Sequence, residues 1–320
     1  METQTKASEF FNRKRILVTG ATGVVGFNLV KKLKNYNCEI HINYLNPLDN
    51  NLSALDSTVS HHVFDITDSQ EINNLPNFDI IYHCSGYGQP QKFTLLPEKT
   101  FNLNTLSVIS LLKKVKTNGS FIFMSSSEVY ADQHWVEDGL LNNEGSPITL
   151  NPDNSRNCYI LGKFFAEGLL KYSGINHKII RLCLCYGEGF KNGDKRVLSE
   201  FVMKAIDKKR INLLDEGSAT RCYIYVNDCV DAVFNITING SKTLYNIGGD
   251  TKISIADLAK KIARQTNAEV ILGERKNKLK DSPDEAFVDI SRYESEFGKL
   301  NKTSLEDGLK NTITWYKKYE

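Results

Sequence analysis

Tyr159 and Lys163 form a pair whose side chains and spacing are suited to proton transfer. They lie four residues apart in a segment predicted to be helical up to about Tyr172, and residues four apart share one face of a helix. A phenol beside an ammonium group can act on the proton of a hydroxyl group. The spacing by itself is common, and a partly buried tyrosine beside a surface lysine would show the same pattern.

Serine and glutamate side chains follow the apolar run at 121–124. From Ser125 to Tyr130 the sequence reads SSSEVY, directly after a predicted buried strand. The carboxyl ends of parallel strands form the edge at which α/β sheets bind their ligands. We therefore expect Ser126 and Glu128 to stand at that edge, with a glutamate that merely caps a turn as the alternative for Glu128.

The stretch from Arg15 to Gly26 (RILVTGATGVVG) predicts a strand, a glycine turn and a helix in direct succession. Glycines at 20, 23 and 26 allow the backbone to turn tightly, to approach a pyrophosphate and to pack helix against strand. The N–H groups at the start of such a helix bind phosphates. The stretch therefore predicts the first half of a dinucleotide-binding βαβ unit.

Strands and helices alternate along the first half of the chain. Apolar runs predict further strands at 38–44, 61–64, 79–84, 121–124 and 178–183, and a helix at 100–115 that Asn118-Gly119 ends. These alternations predict an α/β fold with a doubly wound parallel sheet. Beyond residue 183 the pattern is less regular. We expect residues 14–182 to form the dinucleotide-binding domain, and residues 183–320 to form mainly a smaller substrate-binding lobe interleaved with it.

The composition excludes several classes of function. Of the 320 residues, 41% are hydrophobic and 24% are charged, as in ordinary globular proteins. The net charge is only +2, from 40 Lys and Arg against 38 Asp and Glu, which gives no indication of a nucleic-acid partner. No run of about eighteen apolar residues occurs, so no membrane span is predicted.

The N-terminus and the cysteines indicate the compartment. The first fifteen residues, METQTKASEFFNRKR, lack the apolar core of a signal peptide and are expected to be a frayed leader. The seven cysteines show no zinc-like spacing, and His61, His62 and His83 lack acidic or cysteine partners at ligand spacing, so no metal site is predicted. Reduced core thiols are typical of a cytoplasmic protein.

Taken together, these motifs resemble those of the extended short-chain dehydrogenase/reductase family, NAD-dependent epimerases and dehydratases that remodel nucleotide-activated sugars. The resemblance spans about residues 14–315. It is carried by Thr19-Gly20-x-x-Gly23-x-x-Gly26, Asp65, the serine-rich strand end, and Tyr159 with Lys163. It implies a Rossmann sheet with a C-terminal substrate lobe, NAD as cofactor, a nucleotide sugar as substrate and a homodimer.

The resemblance also implies which residues bind each ligand. For the cofactor these are Gly20, Thr22, Gly23, Val24, Val25, Gly26, Asp65, Ile66, Cys84, Ser85, Gly86, Asn104, Ser125, Tyr159 and Lys163. For the nucleotide sugar they are Ser127, Arg156, Arg196 and Arg221. The catalytic residues that it implies are Ser126, Glu128, Tyr159 and Lys163.

Within the family the motifs are most similar to those of UDP-glucuronate decarboxylases. That branch carries Ser-Thr-Ser-Glu-Val-Tyr at the strand end and Pro-Arg-x-Cys-Tyr before the lysine, similar to SSSEVY at 125–130 and to SRNCY at 155–159. The 4,6-dehydratases instead have Thr-Asp-Glu, and Ser127 stands where their aspartate donates a proton. Simple 4-epimerases lack the glutamate that corresponds to Glu128.

Some positions depart from the family pattern. The family's Arg-x-x-Asn ends here in Leu184, and the asparagine of the next helix is Glu200. An acidic residue about twenty positions beyond the glycines normally holds the ribose hydroxyls of NAD; Tyr44 occupies that place, and the next carboxylate is Asp49. No arginine suited to a 2′-phosphate stands nearby, so we expect NAD with weak discrimination against NADP.

The resemblance implies a mechanism through a 4-keto sugar. Lys163 lowers the pKa of Tyr159 from its ordinary value of about 10 and binds the cofactor ribose, while Ser126 hydrogen-bonds the reacting hydroxyl. Hydride leaves C4 of the sugar for the nicotinamide. A carboxylate on C5 then leaves as CO₂, whereas a hydrogen there becomes acidic and allows epimerisation or dehydration. Glu128 would be the acid/base that distinguishes these outcomes.

Two classes of function stay open from the sequence. The first is a nucleotide-sugar enzyme, most similar to a UDP-glucuronate decarboxylase, with a 4-epimerase or a 4,6-dehydratase as alternatives. The second is an NAD-binding regulator without turnover. The complete set of Ser126, Tyr159 and Lys163 favours an enzyme. The departures at Tyr44, Leu184 and Glu200 keep the regulator as the alternative.

Overall fold

A parallel sheet lies at the centre of the fold. The structure is a computed structural model, and it describes residues 2–46, 51–52, 55, 58–130, 136–137, 140–148, 150, 153, 156–274 and 285–319. Within these residues the strands are β1 (Arg15–Thr19), β2 (Glu39–Tyr44), β3 (Ser60–Val63), β4 (Phe78–His83), β5 (Val115–Ser126), β6 (Val136–Glu137), β7 (Leu140–Leu141), β8 (Asn176–Leu182), β9 (Cys185–Tyr186), β10 (Arg210–Asn212), β11 (Thr220–Cys222), β12 (Ile224–Tyr225), β13 (Leu244–Ile247), β14 (Lys252–Ser254), β15 (Glu269–Ile271) and β16 (Glu285–Ala286).

Helices cover both faces of this sheet. Within the described residues they are α1 (Glu2–Phe11), α2 (Val24–Leu33), α3 (Ser69–Asn74), α4 (Pro90–Leu95), α5 (Pro97–Asn104), α6 (Leu106–Leu112), α7 (Asn157–Tyr172), α8 (Val197–Asp207), α9 (Val226–Asn239), α10 (Ile255–Thr266), α11 (Ser291–Phe297) and α12 (Leu305–Tyr319). A 3₁₀ turn at Ser127–Tyr130 follows β5.

The strand order confirms the predicted doubly wound α/β fold. In the described residues the sheet has seven strands in the order β13-β8-β5-β4-β1-β2-β3, and each neighbouring pair is parallel. The chain passes from β1 outwards to β3 and then returns to the other side of β1 with β4. Ligands bind such sheets at the carboxyl ends of the strands, where the strand order reverses.

The central strand is buried on both faces, which explains its continuous apolar sequence. Ile16 and Val18 belong to the core cluster that includes Leu29 of α2. Leu17 points to the opposite cluster, which includes Phe121 of β5. A strand covered by helices on both sides cannot expose a polar face, and the glycine turn that follows it is therefore held against a rigid layer.

The second half of the chain contributes both to the sheet and to a separate lobe. Strand β13 extends the sheet beside β8, with Leu244 opposite Ile179. The lobe contains the small sheets β12-β9, β10-β15 and β14-β11-β16. The interleaved division at residues 182/183 stays a prediction.

The predicted helix at 100–115 is wrong in two respects. It is divided at Thr105 into α5 and α6, and it ends at Leu112. Val115 begins β5 and lies opposite Phe78, before a bulge in the pairing of β4 with β5. The apolar repeat continues across these junctions, and periodicity cannot distinguish the last turn of a helix from the first residue of a buried strand.

The expectation of a frayed N-terminal leader is also wrong. Residues Glu2–Phe11 form α1, and the side chain of Phe11 is fully buried. Its ring lies 5.1 Å from that of Tyr36 and 4.9 Å from that of Phe234. Phe11 therefore anchors α1, although most residues of this segment are polar.

Neither a membrane helix nor a metal cluster occurs in the described ranges. No helix there is long and apolar enough to cross a bilayer. No three His, Cys, Asp or Glu side chains there are grouped so as to hold a metal ion. His83 is instead a buried partner of the Thr19 hydroxyl, at 2.8 Å.

Candidate active site

Packing within the protein requires glycine at two positions of the glycine turn, whereas a Cβ atom would fit at the third. A Cβ atom on Gly20, whose φ is +61°, would lie 2.8 Å from the Cys84 carbonyl oxygen, and one on Gly26 would lie 2.4 Å from the Gly20 oxygen. These two positions exclude any side chain. A Cβ on Gly23 would meet only the Gly20 oxygen, at 3.4 Å. The protein itself therefore leaves room at Gly23, at the place where a pyrophosphate would approach the start of α2.

The hydroxyl of Thr19 joins this turn to the end of β4. It accepts hydrogen bonds from the backbone N–H groups of Cys84 and Ser85 at 3.2 and 3.3 Å. It also contacts His83, and burial lowers the pKa of that imidazole to about 3, so it is neutral. Strands β1 and β4 thus end in one rigid rim that bears the predicted cofactor residues Cys84, Ser85 and Gly86.

Asn104 and Lys163 face one another across Gly86. A Cβ on Gly86 would lie 3.7 Å from Lys163 Nζ and 3.9 Å from Asn104 Oδ1. That oxygen is buried and has no hydrogen-bond partner in the described part of the chain. An unpaired buried acceptor beside an ammonium group, next to a glycine turn with room at Gly23, fits the hydroxyl and phosphate groups of a dinucleotide. The residues present therefore fit the cofactor that the sequence predicts.

The other predicted cofactor residues surround these groups. Thr22 and Val24 are buried at the turn, and Val25 is half-buried. Asp65, just after β3, pairs with Lys99 at 2.7 Å. Burial opposes the charge of Asp65, but Lys99 and Thr67 outweigh it and lower the pKa of the carboxyl. The next residue, Ile66, is buried, and both roles in cofactor binding stay predictions.

Tyr159 is buried against an aromatic side chain that the sequence analysis did not identify. Its ring stacks on Phe93 of α4, with the centroids 4.9 Å apart. Burial raises the pKa of Tyr159 to about 12, and Glu128 adds to the rise, whereas a hydrogen bond with Ser126 and the charges of Arg156 and Arg196 oppose it. Ser126, at the end of β5, therefore holds the phenol in a fixed direction.

Lys163 lies one turn beyond Tyr159 on α7, as predicted from the spacing. Its Nζ donates to the Met124 carbonyl at 2.6 Å and lies 5.7 Å from the centre of the Tyr159 ring. Burial lowers the pKa of Lys163 to about 8. The expected lowering of the Tyr159 pKa does not occur in the protein without ligands, because burial of the phenol outweighs the charges around it.

Glu128 is held in an ion pair and does not merely cap a turn. Arg156 donates from Nη2 to one carboxylate oxygen at 2.6 Å and from Nε to the other at 3.0 Å. This two-point contact fixes the plane of both groups. The backbone N–H of Glu128 also donates to Ser126 Oγ at 3.2 Å. The three predicted residues Ser126, Glu128 and Arg156 thus lie together beside Tyr159.

Two further arginines border the same space. Arg196, at the start of α8, pairs with Asp194 at 2.5 Å. Burial lowers the pKa of Arg196, but the neighbouring Asp194 outweighs this effect, so the pKa is raised. Arg221, in β11, has its pKa lowered by burial, against the influence of Tyr223 and Glu128. Arg196 thus influences the pKa of Tyr159, and Glu128 influences that of Arg221.

Ser125 and Ser127 each form a hydrogen bond with a residue other than Tyr159. Ser125 Oγ donates to Glu167 at 2.5 Å. Ser127 is buried and hydrogen-bonds Cys183. The roles predicted for these two hydroxyls in ligand binding stay predictions.

Two contacts across the glycine turn were missed by the sequence analysis. Lys191 Nζ donates to Thr22 Oγ1 at 2.8 Å. Asn51 Nδ2 donates to the Thr22 carbonyl at 2.9 Å and to the Gly189 carbonyl at 2.8 Å. The loop after β9, in the second half of the chain, thereby lies against the glycine turn of the first half. Nothing in the local sequence indicates these pairings.

The positions that depart from the family pattern have partners of their own. The Tyr44 hydroxyl contacts His61 Nδ1 at 3.1 Å, and Glu200 pairs with Lys204 on α8 at 2.9 Å. Leu184 is half-buried. Asp49 and Ser155 lie outside the described residues.

Comparisons with known proteins show the family of this chain. Residues 16–248 match the model of the NAD dependent epimerase/dehydratase family. UDP-glucuronic acid decarboxylase 6 of Arabidopsis thaliana is 29% identical over 321 residues, which cover 97% of this chain and 91% of the relative. UDP-glucuronic acid decarboxylase 1 of Danio rerio is 27% identical over 318 residues, 95% of this chain and 73% of the relative. The crystal structure of the Bordetella bronchiseptica enzyme WbmF in complex with NAD⁺ is 25% identical with a TM-score of 0.76, covering 97% and 94% of the two chains.

Proposed function

The chain belongs to the NAD-dependent epimerase/dehydratase family and is an NAD-dependent enzyme, and from this premise we propose that it removes CO₂ from a nucleotide hexuronate through a 4-keto intermediate. UDP-glucuronate is the substrate that we expect. Relatives named UDP-glucuronic acid decarboxylase support the reaction class. The residues around Tyr159 support the particular outcome.

The observation that carries the proposal is the positive charge around one reacting phenol. Arg156 and Arg196 are both close enough to oppose the rise of the Tyr159 pKa, and Arg221 interacts with Glu128. A nucleotide hexuronate carries negative charge on its diphosphate and on its C5 carboxylate. Guanidinium groups bind both kinds of anion through paired hydrogen bonds.

The cofactor would be held by the glycine turn, by the rim at Cys84–Gly86, and by Asn104 and Lys163. Bound NAD supplies an acceptor and donor of hydride for C4 of the sugar. Lys163 keeps its ammonium at a fixed point through its hydrogen bond with the Met124 carbonyl. The unpaired oxygen of Asn104 adds an acceptor for a ribose hydroxyl.

Tyr159 and Ser126 would act on the C4 hydroxyl of the sugar. The serine would fix the direction of the phenolic oxygen. As phenolate, a form that the positive charge of bound NAD would favour, Tyr159 would accept the proton of the substrate hydroxyl when hydride leaves C4 and would return that proton when the ketone is reduced again. The ring keeps its place because it stacks on Phe93. The buried surroundings exclude water from this exchange.

Loss of CO₂ from a β-keto acid needs little acid catalysis once the ketone exists. Glu128 and Arg156 can therefore have roles in orientation and in return of a proton to C5. Their two-point pair leaves 22% of the Glu128 side chain and 12% of the Arg156 side chain exposed, so both can be reached from the site. Ser127 is a weak acid whose hydroxyl is engaged by Cys183, which disfavours a 4,6-dehydratase.

Product analysis tests the proposed reaction. UDP-glucuronate should yield CO₂ and a UDP-pentose with catalytic NAD, and Glu128→Gln should slow this conversion. UDP-glucose and dTDP-glucose, which lack the carboxylate, are the matched controls and should give no CO₂. If UDP-glucuronate emerges with unchanged mass and an inverted centre, the enzyme is a 4-epimerase. If purified protein carries NAD but converts none of these sugars, the regulator is favoured.

We also propose that the protein is a homodimer through an apolar face on α5 and α7. Phe101, Leu161, Phe164, Phe165 and Tyr172 are between 38% and 83% exposed, and four of them line a shallow depression along α7. A contiguous apolar patch of this kind marks an interface. Phe165→Glu should give a monomer by light scattering, whereas Leu214→Glu, at another exposed leucine, should leave the mass unchanged. A wild-type monomer would contradict the proposal.

The cytoplasmic location stays a prediction. All seven cysteines are free thiols, which supports a reducing compartment. Fractionation of cells that produce the protein would test it.

A further inference from the structure

A buried ion pair stands behind the reacting residues. Arg181 of β8 donates to both carboxylate oxygens of Glu167 on α7, at 2.6 to 3.2 Å. The two side chains are only 5% and 6% exposed. Removal of two charges from water costs several kcal/mol, and apolar side chains would fill the same space without this cost. The ion pair at this position therefore calls for a role that apolar side chains could not fill.

Glu167 joins the helix that carries the reacting tyrosine to the strand that carries the reacting serine. Its Oε1 accepts a hydrogen bond from Ser125 Oγ at 2.5 Å. Ser125 stands between Met124, whose carbonyl accepts the ammonium of Lys163 at 2.6 Å, and Ser126. One carboxylate thus holds the backbone on which two reacting side chains depend.

The same pair reaches the turn that bears Glu128. Arg181 Nη1 donates to the Tyr130 hydroxyl at 2.7 Å. That hydroxyl donates to Asn246 Oδ1 of β13 at 3.0 Å. The 3₁₀ turn that follows β5 is therefore tied to β8 and β13 at the same time.

We propose that Glu167 is a positioning residue: its carboxylate, held by Arg181, fixes the end of β5 against α7 so that Ser126, Tyr159 and Lys163 keep their relative geometry. It acts through Ser125 and Lys163 and touches no reacting atom. For catalysis the inference rests on the proposed function. For cofactor binding it rests on the contacts around Lys163 alone.

The charge of Glu167 also acts on Lys163, which stands one helical turn before it. The titratable groups around that ammonium are His83 at the end of β4, Cys84 directly after it, and Tyr159 and Glu167 of α7. Burial lowers the pKa of Lys163 to about 8, while Cys84 and Glu167 oppose this. The ammonium is present below that pKa and is lost as the pH rises through it. Without the Glu167 charge, the loss should occur at lower pH.

Glu167→Gln tests the inference, with Glu144→Gln as the matched control. Glu144 is a second buried carboxylate, 3% exposed and paired with Arg292 at 3.3 Å, and its other contact is the backbone N–H of Asn246. The affinity of stripped protein for NAD is measured by calorimetry from about pH 6 to about pH 9, together with the unfolding temperature. We expect both variants to lose stability. Only Glu167→Gln should shift the fall in affinity to lower pH, by about half a unit or more.

Ser125→Ala is the second variant, because it removes the link to the strand and leaves the ion pair whole. We expect its turnover number to fall about tenfold, with KM within about twofold of the wild type, since misplaced reacting groups slow chemistry more than binding. If Glu167→Gln does not fold, the turnover number of Ser125→Ala alone tests the inference. The inference is wrong if the pH dependence of NAD binding and the turnover number of Ser125→Ala both match the wild type. If the wild type converts no nucleotide sugar, the proposed function fails, and the NAD titrations of Glu167→Gln still decide this point.

Discussion

Burial shifts the pKa values of Tyr159 and Lys163, the two side chains proposed to react, in opposite directions. Tyr159 is 8% exposed and Lys163 is 4% exposed. Their surroundings raise the pKa of the phenol to about 12 and lower that of the ammonium to about 8. At neutral pH the tyrosine is neutral and the lysine carries its charge. The sequence predicted the pair and its spacing, but the sign of the tyrosine shift depends on Phe93 and on the depth of the site.

Tyr159→Phe should lower the turnover of the nucleotide sugar at least about a hundredfold, because under the proposed mechanism it removes the oxygen that exchanges a proton with the substrate. The fold and the NAD affinity should be retained, since a phenylalanine can still stack on Phe93. Tyr293→Phe, at a buried tyrosine whose hydroxyl contacts Asn235 at 2.8 Å, is the control and should keep its activity. Near-normal turnover of Tyr159→Phe would remove this residue from the mechanism.

Lys163→Met should stabilise the protein at neutral pH while it weakens NAD binding. The folded pKa of about 8 lies below the ordinary 10.5, a difference that corresponds to about 3 kcal/mol. This cost is fully present below pH 8. It disappears as the pH rises toward 10.5, because the folded protein has already released a proton that the unfolded chain still holds. Loss of the hydrogen bond to the Met124 carbonyl reduces the gain to about 1 to 2 kcal/mol.

Unfolding temperatures of the wild type and of Lys163→Met, compared at pH 7 and at pH 10, measure this effect. We expect the variant to be more stable at pH 7 and the difference to shrink at pH 10. A difference that does not change with pH would show that Lys163 is not buried as a charged group.

At the scale of elements, local sequence was sufficient where an element is defined by its neighbours along the chain. The first strand, the glycine turn and α2 follow one another as expected, because a doubly buried strand and a glycine turn have strong local patterns. The division of α5 from α6 and the start of β5 were not predicted. The start of β5 depends on the pairing of Val115 with Phe78 across the sheet.

Gly23→Ala and Gly26→Ala should separate ligand binding from packing at the turn. A Cβ on Gly26 would lie 2.4 Å from the Gly20 oxygen, whereas one on Gly23 would lie 3.4 Å from it. Gly23 has φ of −85°, so alanine fits its backbone. We expect Gly23→Ala to keep its unfolding temperature and to lose NAD affinity, and Gly26→Ala to be destabilised by about 1 to 3 kcal/mol. Thermal unfolding and calorimetry distinguish the two variants. If both are destabilised equally, the conclusion that the space at Gly23 serves the cofactor is contradicted.

At the scale of the whole molecule, the contacts that complete the site join residues far apart in the chain. Thr22 meets Lys191, Phe93 stacks on Tyr159, and Ser125 meets Glu167. No local sequence pattern predicts contacts between residues so far apart in the chain. The strand order explains them, because it brings the ends of β1, β4 and β5 to one edge of the sheet and places the loop after β9 over that edge. The resemblance to a family supplied the residues that we propose to react, but not the residues that hold them in place.

Lys191→Met should weaken NAD binding about three- to fivefold, the effect of one exposed charge contact of about 1 kcal/mol. Its ammonium lies 2.8 Å from Thr22 Oγ1, two residues before the start of α2, where the N–H groups of the helix favour a pyrophosphate. Lys195→Met, at an exposed lysine of the same loop, is the control. Calorimetry with NAD, ADP-ribose and adenosine separates charge from packing. If Lys191 acts through its charge, the first two ligands lose affinity equally, adenosine loses none, and high salt reduces the difference. If adenosine binding weakens as well, Lys191 acts by holding the loop of the second half on the glycine turn.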